Sequence, residues 1–298
     1  MKPVLIIGCG DIGQRVARLC QKKGNTVYGL ARSEKSAERL QSLKISPVLG
    51  ELSQPESLEG LFNSSTYSID GASSDCGDIY YFAPPPSEGT IDPYMHNFLS
   101  ALSVDNHPAK IILISTTAVY GDCQGEWVTE EQPVNPQTDR GLRRLDAEDT
   151  LQSWSETTGV PVVTLRVGGI YGPGRLPVER LRKGLPILKE KESPFTNRIH
   201  QDDLAQICVA AAEHGKPGEV YNVSDGQPST MSYYFKAVAK AKGLPQPPEV
   251  SRAEAEKKMS AGMLSYLKES RRLDNKKILK GLQISLRYKN LEEGLKSE

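Results

Sequence analysis

The feature that most constrains this chain is a glycine-rich turn close to its start. An apolar run from Pro3 to Ile7 is typical of a buried β-strand, and the sequence GCGDIG follows it at residues 8–13. A helical pattern then runs from Asp11 to Lys22 and stops at Gly24. A strand, a glycine turn and a helix in this order predict the opening of a βαβ unit in a parallel sheet.

The spacing of the three glycines predicts a particular ligand. Gly8 permits the tight turn, Gly10 lets the backbone approach a pyrophosphate, and Gly13 lets the helix pack closely on the strand. The first helical residues, Asp11 and Ile12, follow at the helix N-terminus, which faces the phosphates. The turn therefore predicts that these five residues bind a dinucleotide, with a purely structural turn as the alternative.

The end of the second strand distinguishes the two nicotinamide dinucleotides. An NAD site has an acid about 20 residues past the glycines that holds the ribose 2′-hydroxyl. Ala31 stands there, and Arg32 and Ser33 follow, so a guanidinium replaces the carboxylate that would repel a 2′-phosphate. We predict NADP(H), contacted by Arg32 and Ser33; the alternative is that Arg32 is a solvated loop residue.

Strand and helix patterns alternate up to residue 167 and predict a doubly wound α/β sheet. Its most strand-like segment, Lys110 to Ser115, is predicted to be a central strand, and its fourth strand, Asp78 to Phe82, leads into further expected cofactor contacts. These contacts are Phe82, Ala83 and Pro84. Residues 1–170 and 199–225 are predicted to form the NADP-binding Rossmann domain. Residues 171–198 and 226–298 are predicted to form a small, mostly helical substrate-side domain.

Composition excludes several classes of partner. Lys plus Arg and Asp plus Glu both number 37, so no net charge would attract nucleic acid or an anionic membrane. The five cysteines show neither C-x-x-C pairs nor metal-ligand spacing, which predicts free thiols and no metal site. The apolar stretch from Val4 to Ile7 is too short for a signal sequence or a membrane span. We expect a cytoplasmic protein with a small-molecule substrate.

Further motifs follow in the second half of the chain. They are STTAVYG at 115–121, IYGPGR at 170–175, RIHQDDL at 198–204 and YNVS at 221–224. Together with the glycine turn, they resemble an extended-type short-chain dehydrogenase/reductase of the NAD-dependent epimerase/dehydratase superfamily, over nearly the whole chain. Such a protein is expected to be an oxidoreductase, epimerase or dehydratase.

The resemblance implies a catalytic arrangement from which this chain departs. Thr116 corresponds to the Ser or Thr that hydrogen-bonds the reacting oxygen; the alternative is a strand-end hydroxyl that satisfies backbone. Arg140 and Arg144 stand where the family has Tyr-x-x-x-Lys, and none of the twelve tyrosines has a lysine four residues later. Arg140 cannot serve as an acid or base, because guanidinium stays protonated. Arg144 could hold the nicotinamide ribose, and both arginines could clamp an anionic substrate.

This departure is similar to the atypical, YeeZ-like subgroup, in which the catalytic residues are degraded. In that subgroup an Asp often replaces the active-site Asn, and Asp92 is our candidate; a helix N-cap is the alternative. Tyr120 could reach the substrate or could be a packed aromatic. His200 is expected to brace the substrate loop rather than to react.

Three more residues are candidate substrate contacts. Arg175 and Arg198 point toward the place where a substrate phosphate or carboxylate would lie, and Gly169 is expected in the same site. Relatives that act on nucleotide sugars usually carry an arginine near Thr196, and this chain has none there, which makes such a substrate less favoured.

Two function hypotheses remain open. The first is an NADP(H)-dependent enzyme that takes its proton from Tyr120, Asp92 or water. The second is a sensor or regulatory protein that binds NADPH and catalyses nothing. By resemblance alone, a homodimer is possible through the helices at residues 94–102 and 139–157.

Overall fold

A seven-stranded parallel sheet forms the centre of the computed structural model, which describes residues 2–59, 61, 76–102 and 107–296. The strands lie in the order β7-β6-β5-β4-β1-β2-β3. They are β1 (Pro3–Ile7), β2 (Thr26–Ala31), β3 (Ser46–Leu49), β4 (Cys76–Tyr81), β5 (Pro108–Thr116), β6 (Val162–Val167) and β7 (Glu219–Val223).

Eleven α-helices accompany these strands in the described part of the chain. They are α1 (Asp11–Lys22), α2 (Glu34–Ser42), α3 (Pro93–Ser100), α4 (Asp139–Thr158), α5 (Val178–Arg182), α6 (Gln201–His214), α7 (Met231–Ala241), α8 (Arg252–Lys258), α9 (Ala261–Leu267), α10 (Lys276–Gly281) and α11 (Leu291–Leu295).

The sheet is covered on both faces, as the apolar run of β1 predicts. Val4 and Ile6 belong to one buried core, which they share with residues of α1 and α6. Leu5 and Ile7 belong to a second core, which they share with residues of α3 and α4. Successive side chains of β1 thus alternate between two helix layers, and the predicted doubly wound α/β fold is confirmed.

The strand order places a crevice at one edge of the sheet. β1 lies between β2 and β4. The chain adds β2 and β3 on one side of β1, and then adds β4 to β7 on the other side. In open parallel sheets this reversal leaves a crevice beyond the carboxyl ends of the strands, where ligands bind. The glycine turn follows β1 directly and therefore lies in that crevice.

The C-terminal segments are joined to the sheet region by short parallel strand pairs. Arg198–His200 pairs with Gly169–Tyr171, and Arg272–Leu273 pairs with Trp127–Val128 in the long loop after β5. The second pair carries residues 265–271 toward the carboxyl ends of β5 and β6.

A few local predictions differ from the structure or lie outside it. The sequence pattern of residues 55–62 predicts a helix, but the structure has a 3₁₀ turn, Pro55–Leu58, and Phe62 and the serine-rich stretch 63–74 lie outside the described residues. Ser251 and Glu254, whose spacing predicts a capping box, form one at the start of α8. None of the described helices is both long and apolar enough to cross a membrane.

Candidate functional site

A cavity of about 470 Å³ lies at the carboxyl ends of β1 to β4, and we call it the cofactor-side cavity. Each of these four strands leads into a residue of its wall. The lining includes Gly8, Cys9, Gly10, Ala31, Arg32, Ser36, Arg39, Gly50, Glu51, Phe82, Ala83, Pro84 and Tyr94. Six of the predicted cofactor contacts therefore line one cavity: Gly8, Gly10, Arg32, Phe82, Ala83 and Pro84.

The three glycines of the turn meet different surroundings. Gly8 has a φ of +91°, and a Cβ there would lie 2.5 Å from the backbone N of Ala83. A Cβ on Gly13 would lie 2.8 Å from the carbonyl oxygen of Gly8, whereas a Cβ on Gly10 would meet nothing within 4 Å. Gly8 and Gly13 are thus required by the backbone itself, and Gly10 borders open space in which a phosphate would fit.

The N-terminus of α1 is available to an anion. Gly10 is its N-cap residue and provides no side-chain cap, so the first N–H groups of the helix have no side-chain partner there. The carboxylate of Asp11 instead accepts from Arg15 at 3.1 Å and from Arg175 at 2.8 Å. Burial acts to raise the pKa of Asp11, but these two guanidinium groups outweigh it and lower the pKa. The side chain of Ile12 lies in the core.

Two guanidinium groups stand at the end of β2. Arg32 and Arg39 are exposed and line the cavity with Ser36, and Glu51 is the one acid among the described lining residues. Ser33 is not in the lining: its hydroxyl caps α2 and accepts from the backbone N–H of Ser36 at 3.3 Å. The contact between Ser33 and a cofactor stays a prediction: the Ser33 hydroxyl caps the helix, and the neighbouring Ser36 lines the cavity.

Arg144 lies behind the wall of this cavity. Its Nη2 donates to the carbonyl oxygen of Ala83 at 3.1 Å, and its Nη1 is buried without a partner. Burial lowers the pKa of Arg144, and the nearby Asp92 opposes that change. Arg144 thus contacts Ala83, a residue of the cofactor-side wall.

Asp92 lines neither cavity described here, so the structure does not place it in contact with a substrate. It is fully buried as the N-cap of α3, and its Oδ1 accepts from the backbone N–H of Tyr94 at 3.1 Å. Burial raises the pKa of its carboxyl group, against the influence of Arg144. The N-cap alternative is the one that the geometry favours.

These observations test whether a dinucleotide fits. The open space at Gly10, the uncapped end of α1 and the paired guanidinium groups of Arg32 and Arg39 suit a pyrophosphate and a further phosphate. The cavity has the volume range of small-molecule and cofactor sites. The residues present therefore fit the group that the fold implies.

A second cavity of about 350 Å³, the substrate-side cavity, lies at the carboxyl ends of β5 and β6. It brings together all of the predicted substrate contacts except Asp92, together with Thr116. The lining is Thr116, Thr117, Ala118, Arg140, Val167, Gly168, Gly169, Ile170, Arg175, Phe195, Thr196, Asn197, Arg198, Met231, Tyr266, Glu269 and Arg271.

Thr116 stands at the end of β5 and lines this cavity. Its Oγ1 accepts a hydrogen bond from the backbone N–H of Ala118 at 3.3 Å and caps the 3₁₀ turn Thr117–Tyr120. A hydroxyl that accepts one bond still has a proton to donate. The Thr116 hydroxyl therefore accepts a hydrogen bond from the backbone, as the alternative interpretation predicts. It can also donate a hydrogen bond to an oxygen in the cavity.

Tyr120 is a packed aromatic in this structure, so the prediction that it reaches the substrate is corrected. It is 1% exposed, lines neither cavity, and its hydroxyl donates to Oδ1 of Asn222 at 2.8 Å. The guanidinium of Arg166 lies over its ring and forms an ion pair with Glu148 at 2.7 Å. The 3₁₀ turn after β5 points Tyr120 into this buried cluster.

Three of the four arginines that line the substrate-side cavity have acidic partners. Arg175 donates to Asp11, and Arg271 pairs with the buried Glu269 at 2.9 Å. Arg140 lies 3.8 Å from the same carboxylate. These partners neutralise most of the positive charge that the arginines bring to the cavity.

Arg198 is the exception. It is 8% exposed, its Nε has no hydrogen-bond partner, and its other nitrogens approach only the Met231 sulfur at 3.3 Å and the Asn197 carbonyl oxygen at 3.4 Å. Its guanidinium also lies 4.0 Å from the ring centroid of Tyr234, and no described carboxylate is within 4.0 Å. Burial lowers its pKa, and the nearby Tyr234 and Asp225 oppose that change. A buried cation that forms no ion pair with a described carboxylate makes this cavity suited to an anion.

His200 has the bracing role predicted for it. Its Nδ1 accepts from the backbone N–H of Asp202 at 3.2 Å at the start of α6, and its ring packs between Tyr171 and Tyr288. Burial lowers its pKa, which favours the neutral ring. The side chain is 1% exposed and does not line the substrate-side cavity.

Tyr266, Glu269 and Arg271 are among the lining residues that were not predicted from the sequence. Tyr266 lies near the end of α9, and Glu269 and Arg271 lie between α9 and the strand Arg272–Leu273. The pairing of that strand with Trp127–Val128 brings them to the cavity. No local motif marks them, so the sequence alone gave no signal of their position.

Comparison with known proteins agrees with this geometry. Residues 4–224 match the model of the "NAD dependent epimerase/dehydratase family". The protein YeeZ of Escherichia coli (strain K12) is 27% identical over 84% of this chain and 86% of its own length. A functionally unknown conserved protein from Silicibacter pomeroyi DSS is 29% identical, with a TM-score of 0.80, and covers 100% of this chain and 98% of its own.

A more distant structure shares the fold. UDP-glucose 4-epimerase of Thermotoga maritima is 20% identical, with a TM-score of 0.77, and covers 99% of this chain and 96% of its own. The family match spans the glycine turn, Thr116, Arg140 and Arg144. The chain belongs to the NAD dependent epimerase/dehydratase family and is an atypical extended short-chain dehydrogenase/reductase.

Proposed function

We propose that this protein is an NADP(H)-dependent oxidoreductase of a small, anionic carbonyl or hydroxyl compound. The observation that carries the proposal is the buried guanidinium of Arg198, which forms no ion pair with a described carboxylate, in a cavity that also contains Thr116. The cofactor-side cavity lies at the neighbouring strand ends of the same sheet. The arrangement provides a place for a cofactor, an anchor for an acid group and a donor for a reacting oxygen.

The preference for NADP(H) is supported by charge at the end of β2. Arg32 and Arg39 both line the cofactor-side cavity, and no acid stands at residues 31–33. A 2′-phosphate can pair with guanidinium groups there, whereas the ribose of NAD would have no carboxylate to hold it. When bound, the cofactor supplies or accepts the hydride.

The substrate would be held at two points. Arg198 would pair with a carboxylate or phosphate, and Thr116 would donate to the carbonyl oxygen and stabilise the negative charge that develops there. Arg144 would contact the cofactor rather than the substrate, because it borders the cofactor-side cavity through Ala83. Arg140 would neither donate nor accept a proton.

The proposed division into domains follows the same geometry. Residues 1–170 and 199–225 would bind the cofactor, while residues 171–198 and 226–298 would supply most of the substrate-side wall. Assembly as a homodimer through α3 and α4 remains part of the proposal, and light scattering of the purified protein tests it.

Fluorescence titration with NADPH and with NADH tests the cofactor. NADPH is expected to bind at least about tenfold more tightly than NADH, because one well-placed charged contact is worth roughly 1.5–3 kcal/mol. Equal affinities would contradict the preference for NADP(H).

A panel of small 2-oxo acids, 3-oxo acids and phosphorylated ketones then tests the reaction through the loss of NADPH absorbance. Turnover that is abolished by Thr116→Ala is the expected result. Binding of NADPH without turnover of any compound in the panel would contradict the oxidoreductase and favour the sensor.

A further inference from the structure

Reduction of a carbonyl group requires a proton as well as a hydride, and the family's proton donor is missing here. Arg140 occupies its position and keeps its proton at any physiological pH. Tyr120 is buried and already donates to Asn222. Among the described side chains that line the substrate-side cavity, only Tyr266 and Glu269 belong to types that commonly exchange protons in catalysis.

These two candidates differ in access. Glu269 is 6% exposed, and its Oε2 accepts from Arg271 and lies near Arg140, so it serves the arginines that frame the cavity. Tyr266 is 53% exposed. A substrate in the cavity and water from outside can therefore both reach the side chain of Tyr266.

Tyr266 is also placed against the residue that replaced the family's tyrosine. The guanidinium carbon of Arg140 lies 3.9 Å from the centroid of the Tyr266 ring. Nη1 of Arg140 donates to Oγ of Ser265 at 2.8 Å, which fixes the guanidinium beside α9. Arginine and tyrosine are thus adjacent, although they are far apart in the sequence.

We propose that Tyr266 is a catalytic residue: its phenol supplies the proton for the reacting oxygen, in place of the tyrosine that stands at position 140 in relatives. This inference rests on the proposed function. The O–H bond of Tyr266 breaks as an O–H bond forms on the substrate oxygen, while the carbonyl carbon receives the hydride. The phenolate that remains then takes a proton from water.

Arg140 has a defined part in this arrangement. Its positive charge faces the ring that becomes negative when the proton leaves, and it cannot be deprotonated itself. In relatives a neighbouring lysine supplies such a charge to the tyrosine. Here the two groups come from different segments: the cation of Arg140 lies on α4, and the phenol of Tyr266 lies in the C-terminal segment.

Two variants separate a catalytic from a positioning role. Tyr266→Phe keeps the aromatic ring against Arg140 and removes only the hydroxyl, whereas Tyr266→Leu removes both. Tyr233→Phe is the matched control, because Tyr233 is 43% exposed but lies outside the substrate-side cavity. The kcat and KM are measured with the panel compound that the unaltered protein reduces fastest, and the Kd of NADPH is measured by fluorescence.

We expect Tyr266→Phe to lower kcat by about 100-fold or more, the usual contribution of a proton donor. KM and the Kd of NADPH should stay within about twofold, and Tyr233→Phe should match the unaltered protein. Activity retained by Tyr266→Phe but lost by Tyr266→Leu would show that the ring only positions Arg140 and would overturn this inference alone. Absence of turnover by the unaltered protein would overturn the proposed function and this inference together.

Discussion

The cofactor-side and substrate-side cavities share one edge of the sheet but recognise their ligands by different means. The cofactor-side wall lies at the ends of β1 to β4, and its cations, Arg32 and Arg39, are exposed. The substrate-side wall contains buried charge, including Arg198, Glu269 and Arg271. The first cavity depends on shape, and the second depends on whether each buried charge has a partner.

This difference has an energetic consequence. An exposed charge keeps its water, whereas a buried charge loses its hydration and depends on the groups around it. Substitutions on the cofactor side should therefore act through space and backbone conformation. Substitutions on the substrate side should act through the partner that they leave behind.

The largest effect is expected at the glycine turn. Gly8→Ala adds a methyl group 2.5 Å from the Ala83 backbone N in a left-handed conformation, so the free energy of unfolding should fall by about 3 kcal/mol or more. Gly10→Ala adds a methyl group to open space and should change it by less than about 0.5 kcal/mol, while weakening NADPH binding. Urea denaturation of both variants measures this, and equal losses would refute the distinction.

The next effect contrasts two buried arginines. Arg198→Met removes a buried charge that forms no ion pair with a described carboxylate, so KM for an anionic substrate should rise about 10- to 100-fold with little loss of stability. Arg271→Met leaves Glu269 buried without its 2.9 Å partner and should lower the free energy of unfolding by about 3 kcal/mol. Steady-state kinetics and urea denaturation measure the two quantities. A comparable loss of stability in Arg198→Met would mean that Arg198 is already compensated.

A smaller effect depends on pH. Burial raises the pKa of Asp225, which is next to Arg198 in the structure, to about 7. Unfolded chains release this proton near pH 4, so the folded protein is progressively disfavoured between about pH 4 and 7. Asp225→Asn should therefore stabilise the protein increasingly over that range and by roughly 1–3 kcal/mol above it. Thermal denaturation across pH checks this, and a difference that does not vary with pH would contradict it.

The smallest effect is expected at the exposed arginines of the cofactor side. Arg32→Ala and Arg39→Ala should each raise the Kd of NADPH by about fivefold to tenfold and leave that of NADH unchanged. The difference should shrink at high salt, because exposed charges are screened. Equal effects on both dinucleotides would show that these arginines do not contact the 2′-phosphate.

The two cavities also differ in how far the sequence predicted them. The roles of Gly8, Gly10 and Gly13 follow from spacing within one turn, which local geometry fixes. Arg175 and Arg198 were found through motifs close to the strand ends. The sequence could not distinguish the two readings of Tyr120, because the 3₁₀ turn that buries it is set by packing against Arg166.

The residues that the C-terminal segment contributes to the substrate-side cavity could not be predicted from local sequence patterns. Tyr266 and Glu269 reach the site only because Arg272–Leu273 pairs with Trp127–Val128, a contact between segments distant in sequence. Such pairings depend on the whole fold and leave no periodic signal in a short window. Asp92 shows the reverse case, in which the local N-cap signal was the correct guide.

The pairing of Arg272–Leu273 with Trp127–Val128 also sets the order in which the protein can be built during synthesis. Every described residue that lines the cofactor-side cavity has been translated once Tyr94 is made. The substrate-side wall also needs the strand Arg272–Leu273, which is translated much later, and long-range pairings form slowly. A nascent chain therefore contains the described lining residues for its cofactor well before it can enclose a substrate.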